Sequence, residues 1–212
     1  YSATISGLEP NQTYSYRAYA ANSKGTAYGE TKSFVTLVAL PEVEYLSAAD
    51  ITSSSAVVTA KVTAHGGETV SEVGFLYGTT SSLDPSTASR VTSAYNIDSF
   101  SFTLDNLSRA TEYYVRPFAT NSAGTSYGET MSFTTLPELP VVSTMDVIEI
   151  TDNSAVCGGV ITDDGNGEII AKGVVWSRSK NPTAESFFKT EEGSGKSSYT
   201  SYLTDLTPGS TY

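Results

Sequence analysis

Apolar residues in this chain alternate with polar ones at a period of two, and no segment sustains the three-to-four spacing of an amphipathic helix. The clearest run is Ala56, Val58, Ala60 and Val62, interleaved with Val57, Thr59 and Lys61, which points the first set inward on a strand. Before it, Pro41 to Ile51 reads as a first strand, closed by the turn Thr52-Ser53-Ser54-Ser55. After it, His65-Gly66-Gly67-Glu68 reads as a loop and Val73 to Gly78 as a third strand. Residues 79 to 98 are polar, contain Pro85 and hold at most a short edge strand. Phe100, Phe102 and Leu104 alternate as a further strand. Tyr113 to Thr120 and Met131 to Thr135 supply the last two, joined by a turn over Asn121–Gly128. Seven short strands between turn residues predict an antiparallel β-sandwich.

The whole pattern recurs every 99 residues without a gap: Leu8, Leu107 and Leu206 are in step, as are Tyr14, Tyr113 and Tyr212, and Gly74 returns as Gly173. Asn22-Ser23-Lys24-Gly25-Thr26-Ala27-Tyr28-Gly29-Glu30 matches Asn121-Ser122-Ala123-Gly124-Thr125-Ser126-Tyr127-Gly128-Glu129. The expected fold is all-β, a tandem array of antiparallel β-sandwiches. Residues 40–136 form the complete unit, 1–36 the C-terminal part of one unit and 139–212 the N-terminal part of another. Each partial piece leaves sheet edges open, so the expected partners are neighbouring repeats of the same protein, within the chain or as head-to-tail copies. The joins, Thr36–Pro41 and Thr135–Pro140, carry Pro41, Pro137 and Pro140 rather than a Gly/Ser tract, which predicts semi-rigid spacers with Leu37 and Leu136 packed at the junctions.

Leu8-Glu9-Pro10-Asn11-Gln12-Thr13-Tyr14, followed by Arg17, Ala20, Asn22 and Gly25, resembles the fibronectin type III pattern leading into its sixth strand. Leu206-Thr207-Pro208-Gly209-Ser210-Thr211-Tyr212 repeats that approach, whereas Leu107-Ser108-Arg109-Ala110-Thr111-Glu112-Tyr113 lacks the proline. The resemblance implies a tyrosine corner, the ring hydroxyl bonding back to nearby backbone. The wording of the repeat is also similar to tandem repeats of large exported surface proteins of Gram-negative bacteria. That likeness implies an extracellular or cell-surface, non-catalytic spacer or adhesive stalk segment, with a glycan- or protein-binding module as the alternative. The fold hosts many roles, so the likeness speaks to architecture before function.

Composition narrows the classes further. With 12 basic against 23 acidic residues the chain carries a net charge of −11, which opposes nucleic acid and anionic membrane surfaces. No apolar run approaches the roughly 18 residues of a membrane span, so no membrane insertion is expected in this segment. Cys157, the single cysteine, stands where the previous repeat has Val58 and reads as a small buried hydrophobe.

No cofactor is expected, and no catalytic set is visible: His65 is the single histidine and reads as a solvated loop residue. Asp163-Asp164-Gly165-Asn166-Gly167-Glu168 is the best calcium candidate by oxygen count, but it lacks the one-three-five spacing and closing glutamate of a calcium loop and reads as a turn. The Asn-Ser-x-Gly-Thr turn is explained by its glycine and by an asparagine side chain tying the turn. If Tyr113, Val115, Pro117 and Ala119 face inward, then Tyr114, Arg116, Phe118 and Thr120 face outward, and Arg17 and Tyr19 repeat Arg116 and Phe118. These four, Arg17, Tyr19, Arg116 and Phe118, are the candidate ligand-facing residues; otherwise they cover the sheet. Pro117 removes a ladder donor from a central strand, which predicts a bulge or a missing bond. Asn11-Gln12-Thr13 and Asn106-Leu107-Ser108 match the glycosylation sequon, which the bacterial resemblance leaves unused.

Overall fold

A computed structural model describes residues 2–185 and 188–212, and among these there is no helix. The chain divides into two compact units, one made of Tyr1–Leu107 with Thr111–Thr135, the other of Ser108–Ala110 with Leu136–Tyr212.

The first unit contains the complete sandwich. One layer is the antiparallel sheet β5 (Glu42–Ala49), β6 (Ala56–Ala64) and β9 (Ser99–Leu104), in the order β5-β6-β9. The other contains β7 (Glu72–Gly78), β8 (Ser89–Ala94), β10 (Glu112–Asn121), β11 (Gly124–Tyr127) and β12 (Met131–Thr134), in the order β11-β10-β7-β8 with β12 also on β10. This two-layer antiparallel arrangement is the β-sandwich that the strand pattern predicts, and it is compatible with the fibronectin type III-like fold that the resemblance implies. Ala56, Val58, Ala60 and Val62 of β6 are all buried, facing Phe75, Val115, Ala119 and Phe133 across the core. Phe75 packs edge-on against Tyr45 and Phe102, with ring centroids 6.5 and 6.2 Å away.

One local expectation is corrected and one is resolved. The Asn121–Gly128 segment is not one turn: a tight turn at Ser122-Ala123 leads into β11, and the seventh strand is broken into β11 and β12. Of the bulge or missing bond expected at Pro117, it is the missing bond that is found: the β7–β10 ladder runs unshifted from Tyr114↔Gly78 to Thr120↔Glu72. A residue's N–H and C=O point to the same neighbour in an antiparallel strand. Pro117 accepts from Gly128 N–H at 2.9 Å, so its missing donor lies on the β11/β12 side, where the partner strand is already interrupted. Ala18 accepts from Gly29 N–H at 2.8 Å in the same way, so the proline occupies a break that exists without it.

The opening repeat contributes β1 (Thr13–Tyr16) paired with β4 (Lys32–Val35), and β2 (Tyr19–Asn22) paired with β3 (Gly25–Tyr28). The Tyr14 hydroxyl accepts the Glu9 N–H at 2.9 Å, the tyrosine corner implied by the resemblance. The link to the complete sandwich is held by backbone. Thr36 N–H donates to Gln12 O at 2.9 Å and Asn11 N–H to Leu37 O at 3.2 Å on one side; Ala39 N–H donates to Gly66 O at 2.9 Å on the other. Leu37 does not pack at the junction: it is 88% exposed, because its backbone is fixed in a direction that sends the side chain into solvent. Leu136 is likewise 52% exposed.

In the second unit β13 (Val141–Ile148), β14 (Ala155–Asp163) and β15 (Tyr199–Leu203) form a three-stranded antiparallel sheet. Cys157 is buried on β14, and burial pushes its thiol pKa up. Where β6 has Thr59-Ala60, β14 has Gly158-Gly159; the Tyr199 ring lies across Gly159, and the Tyr199 backbone lies against Gly158. A Cβ on Gly159 would sit 2.5 Å from the Tyr199 hydroxyl, which donates to Gly173 O at 2.9 Å. Residues 172–176 and 188–193 pair through single backbone bonds, including Thr190 N–H to Val174 O at 2.8 Å. Tyr212 repeats the tyrosine corner, its hydroxyl accepting Thr207 N–H at 2.9 Å. Thr207 first and then Arg178 stabilise the phenolate and bring the Tyr212 pKa down to about 8.

Candidate functional site

The arginine–aromatic strip was the strongest sequence candidate for a ligand surface, and its two copies can be compared within the first unit. In the complete sandwich, Arg116 and Phe118 on β10 do face away from the main core. Phe118 is nevertheless buried, at 1% exposure, in a second small core with Leu76 and Leu83, flanked by Ala88, Tyr114 and Tyr127. The expectation that Phe118 stands open to a ligand is therefore corrected.

Its cover is the segment preceding β8. Asp84 organises that segment as a turn, accepting Ser86 N–H at 2.8 Å on its side chain and Ala88 N–H at 2.9 Å on its carbonyl, and Leu83 is carried onto the ring. The Arg90 guanidinium caps Phe118 4.4 Å from the ring centroid and is held by Glu72 at 2.6 Å. Beneath the ring lies Gly74, directly opposite Phe118 in the ladder. A Cβ there would fall 2.7 Å from the ring and 2.1 Å from Val91 O, which is why the position carries no side chain. Arg116 completes the stack, 4.9 Å over Tyr127 with its Nε donating to Gly128 O at 3.0 Å.

Alternation along β10 gives the face of Phe118 correctly; the cover comes from a segment that alternation cannot read. The signal available was Leu83 itself, the one large apolar residue between Tyr77 and Val91, followed by the Asp84-Pro85 turn. In the opening repeat the same strip is exposed: Tyr19 at 68% and Tyr28 at 58%, their rings 6.4 Å apart, with Arg17 3.9 Å over Tyr28.

His65 is not a freely solvated loop residue. Its Nε2 lies 2.8 Å from both the Tyr95 hydroxyl and Asp98 Oδ1, and the tyrosine donates to the same carboxylate oxygen at 2.5 Å. That hydrogen bond raises the Tyr95 pKa to about 12, and together with His65 it holds Asp98 below the usual carboxylate range. All three bond one another at the surface, so the cluster ties the loop after β6 to the approach to β9.

The acidic loop of the second unit is similarly occupied. Asp163 takes the Arg109 guanidinium at 2.7 and 2.8 Å and the Gly165 N–H at 2.9 Å, and the arginine is the larger cause of its lowered pKa. Asp164 accepts Asn166 N–H at 2.9 Å and meets Lys196 at 3.3 Å. Among the described residues no group of three or more His, Cys, Asp or Glu side chains is arranged to hold a metal ion.

No family model matches the chain, and no curated protein matches it either. Among solved structures it is similar to the sensor domain of the anti-sigma factor RsgI4 of Pseudobacteroides cellulosolvens, at 22% identity and a TM-score of 0.35, over 47% of this chain and 97% of that one. It is also similar to domains d3–d4 of the rat CD45 extracellular region, at 16% identity and a TM-score of 0.44, over 64% of this chain and 70% of that one. At such TM-scores no part of the functional reading rests on these likenesses.

Proposed function

We propose that this chain is a segment of a repeat-built, non-catalytic spacer or stalk of an exported cell-surface protein, with its neighbouring repeats as its principal partners. The observation that carries this reading is the link between the opening repeat and the complete sandwich. Residues 36–37 bond to the opening repeat and residue 39 to the sandwich, so one residue, Val38, lies between the two sets of bonds. A join pinned from both sides transmits orientation, which a spacer needs and a flexible tether does not supply. The burial of Phe118 supports the same reading by removing one member of the ligand strip. The net charge of −11 suits a soluble, extended array facing solvent.

Small-angle scattering from tandem copies of residues 37–135 with their own linkers tests the proposal. The expected result is a constant length increment per added unit with a narrow spread. A broad distribution typical of a freely jointed chain would overturn it. The alternative is a glycan- or surface-protein-binding module, with Arg17 and Tyr19 as its candidate residues, tested in a chain that carries the whole of their repeat. Binding of a glycan that is lost in Tyr19→Ala, with stability unchanged, would favour that alternative.

A further inference from the structure

The recurrent Asn-Ser-x-Gly-Thr turn does more than close a hairpin. Asn121 is buried at 5% exposure, and its Oδ1 accepts Ala123 N–H at 2.9 Å, the turn bond that Asn22 makes to Lys24 at 2.8 Å. Its Nδ2 donates outward, to Ala39 O at 2.8 Å and His65 O at 3.0 Å. Since Ala39 N–H is already bonded to Gly66 O, both backbone polar groups of this linker residue belong to the sandwich. An amide placed to satisfy two carbonyls from separate segments fixes their relative position, because either one left unpaired would be penalised.

The loop beneath is shaped for a second contact. Gly66 and Gly67 adopt φ of +74° and +84°, a region that disfavours side chains. A Cβ on Gly66 would fall 2.0 Å from Ala39 O, and one on Gly67 2.7 Å from Pro10 O. Across this close approach, Asn11 Nδ2 donates to Gly67 O at 2.9 Å. Asn11 itself holds φ 52°, a conformation asparagine tolerates better than most residues.

We propose that the His65–Glu68 loop and the Asn121 turn together form a docking surface for the corner of the preceding repeat, and that its fitting partner is a proline-asparagine corner such as Pro10-Asn11. Asn121 is the positioning residue, holding the linker carbonyl; Gly67 is the seat; Asn11 is the donor that enters it. The pairing is selective. The next corner has Arg109-Ala110 in place of Pro10-Asn11 and offers no side-chain amide at the second position, while Asn166 stands where Gly67 does. In the second unit Arg109 instead pairs with Asp163 and with Glu138 at 3.0 Å. Corner and loop thus vary as matched sets, and the sequence of a joint specifies which repeat precedes which. This holds whether or not the array serves as a spacer.

Residual dipolar couplings measured on the full chain test the proposal. In the unaltered protein the amides of β1–β4 and β5–β12 are expected to fit one alignment tensor, with slow exchange of the Ala39 N–H. Gly67→Ala and Asn121→Ala are expected to shrink the β1–β4 couplings, to require a second tensor and to speed exchange at Ala39. Asn11→Ala should do so in part, and Lys24→Ala not at all. Should Asn121→Ala unfold the sandwich, Gly67→Ala and Asn11→Ala carry the test alone, since both alter the exposed joint. Separate tensors in the unaltered protein, or a single tensor surviving Gly67→Ala and Asn11→Ala, would overturn the assignment.

Discussion

Arg17, Tyr19 and Tyr28 of the opening repeat stand at the same positions as Arg116, Phe118 and Tyr127 of the complete one, and their local geometry is nearly the same. The aromatic pairs are 6.4 and 6.1 Å apart, and each arginine lies over its tyrosine. Their surroundings differ completely: Tyr19 is 68% exposed and Phe118 1%. A β-hairpin sets the mutual placement of its own side chains through cross-strand pairing, and that much is local. Burial is not local. It comes from β7 beside β10, from Gly74 beneath the ring and from the Leu83 turn above it.

The most severe way to sharpen this contrast is to remove the ring in each copy. Phe118→Ala is expected to destabilise the sandwich by about 3–5 kcal/mol, as large buried aromatics do. Tyr19→Ala should change stability by no more than roughly 0.5 kcal/mol, like other surface substitutions. Amide exchange in β7 and β10 reads the first effect without interference from the second unit. Equal effects would break the comparison. Gly74→Ala comes next, at about 1–3 kcal/mol, because the added methyl meets backbone on one side and the Phe118 ring on the other; denaturant midpoints measure it. The smallest expected effect is that of Arg90→Gln. It loses the cation–π cap on Phe118 and should cost on the order of 0.5–1 kcal/mol in the same titration.

The parts of this fold that were legible in the sequence are those governed by neighbours along the chain. Ala56, Val58, Ala60 and Val62 declared their face by alternation, and Cys157 declared its burial by standing where Val58 stands. The repeated tyrosines announced their corners, because the hydroxyl reaches only five residues back to Glu9 and Thr207. What escaped was set by distant contacts. Phe118 revealed its face but not its lid. Asn121 revealed its turn, while its second task concerns Ala39, 82 residues away. His65 gave no sign of Tyr95 and Asp98, which approach from the far side of two strands. The exposure of Leu37 has a related cause: an apolar residue in a join suggests packing, yet backbone bonds on either side settle where the chain runs.

The glycine opposite Tyr199 bears on which side chain its sheet can accept. Tyr199 passes its hydroxyl over Gly159, through the space a Cβ would take, whereas β6 offers Ala60 at that position and pairs it with Phe100. A methyl at position 159, such as Ala60 carries, would stand in the path of the Tyr199 phenol and cost its bond to Gly173. Gly159 therefore fits this sheet to its own tyrosine, and Gly159→Ala is expected to displace the ring and break its bond to Gly173.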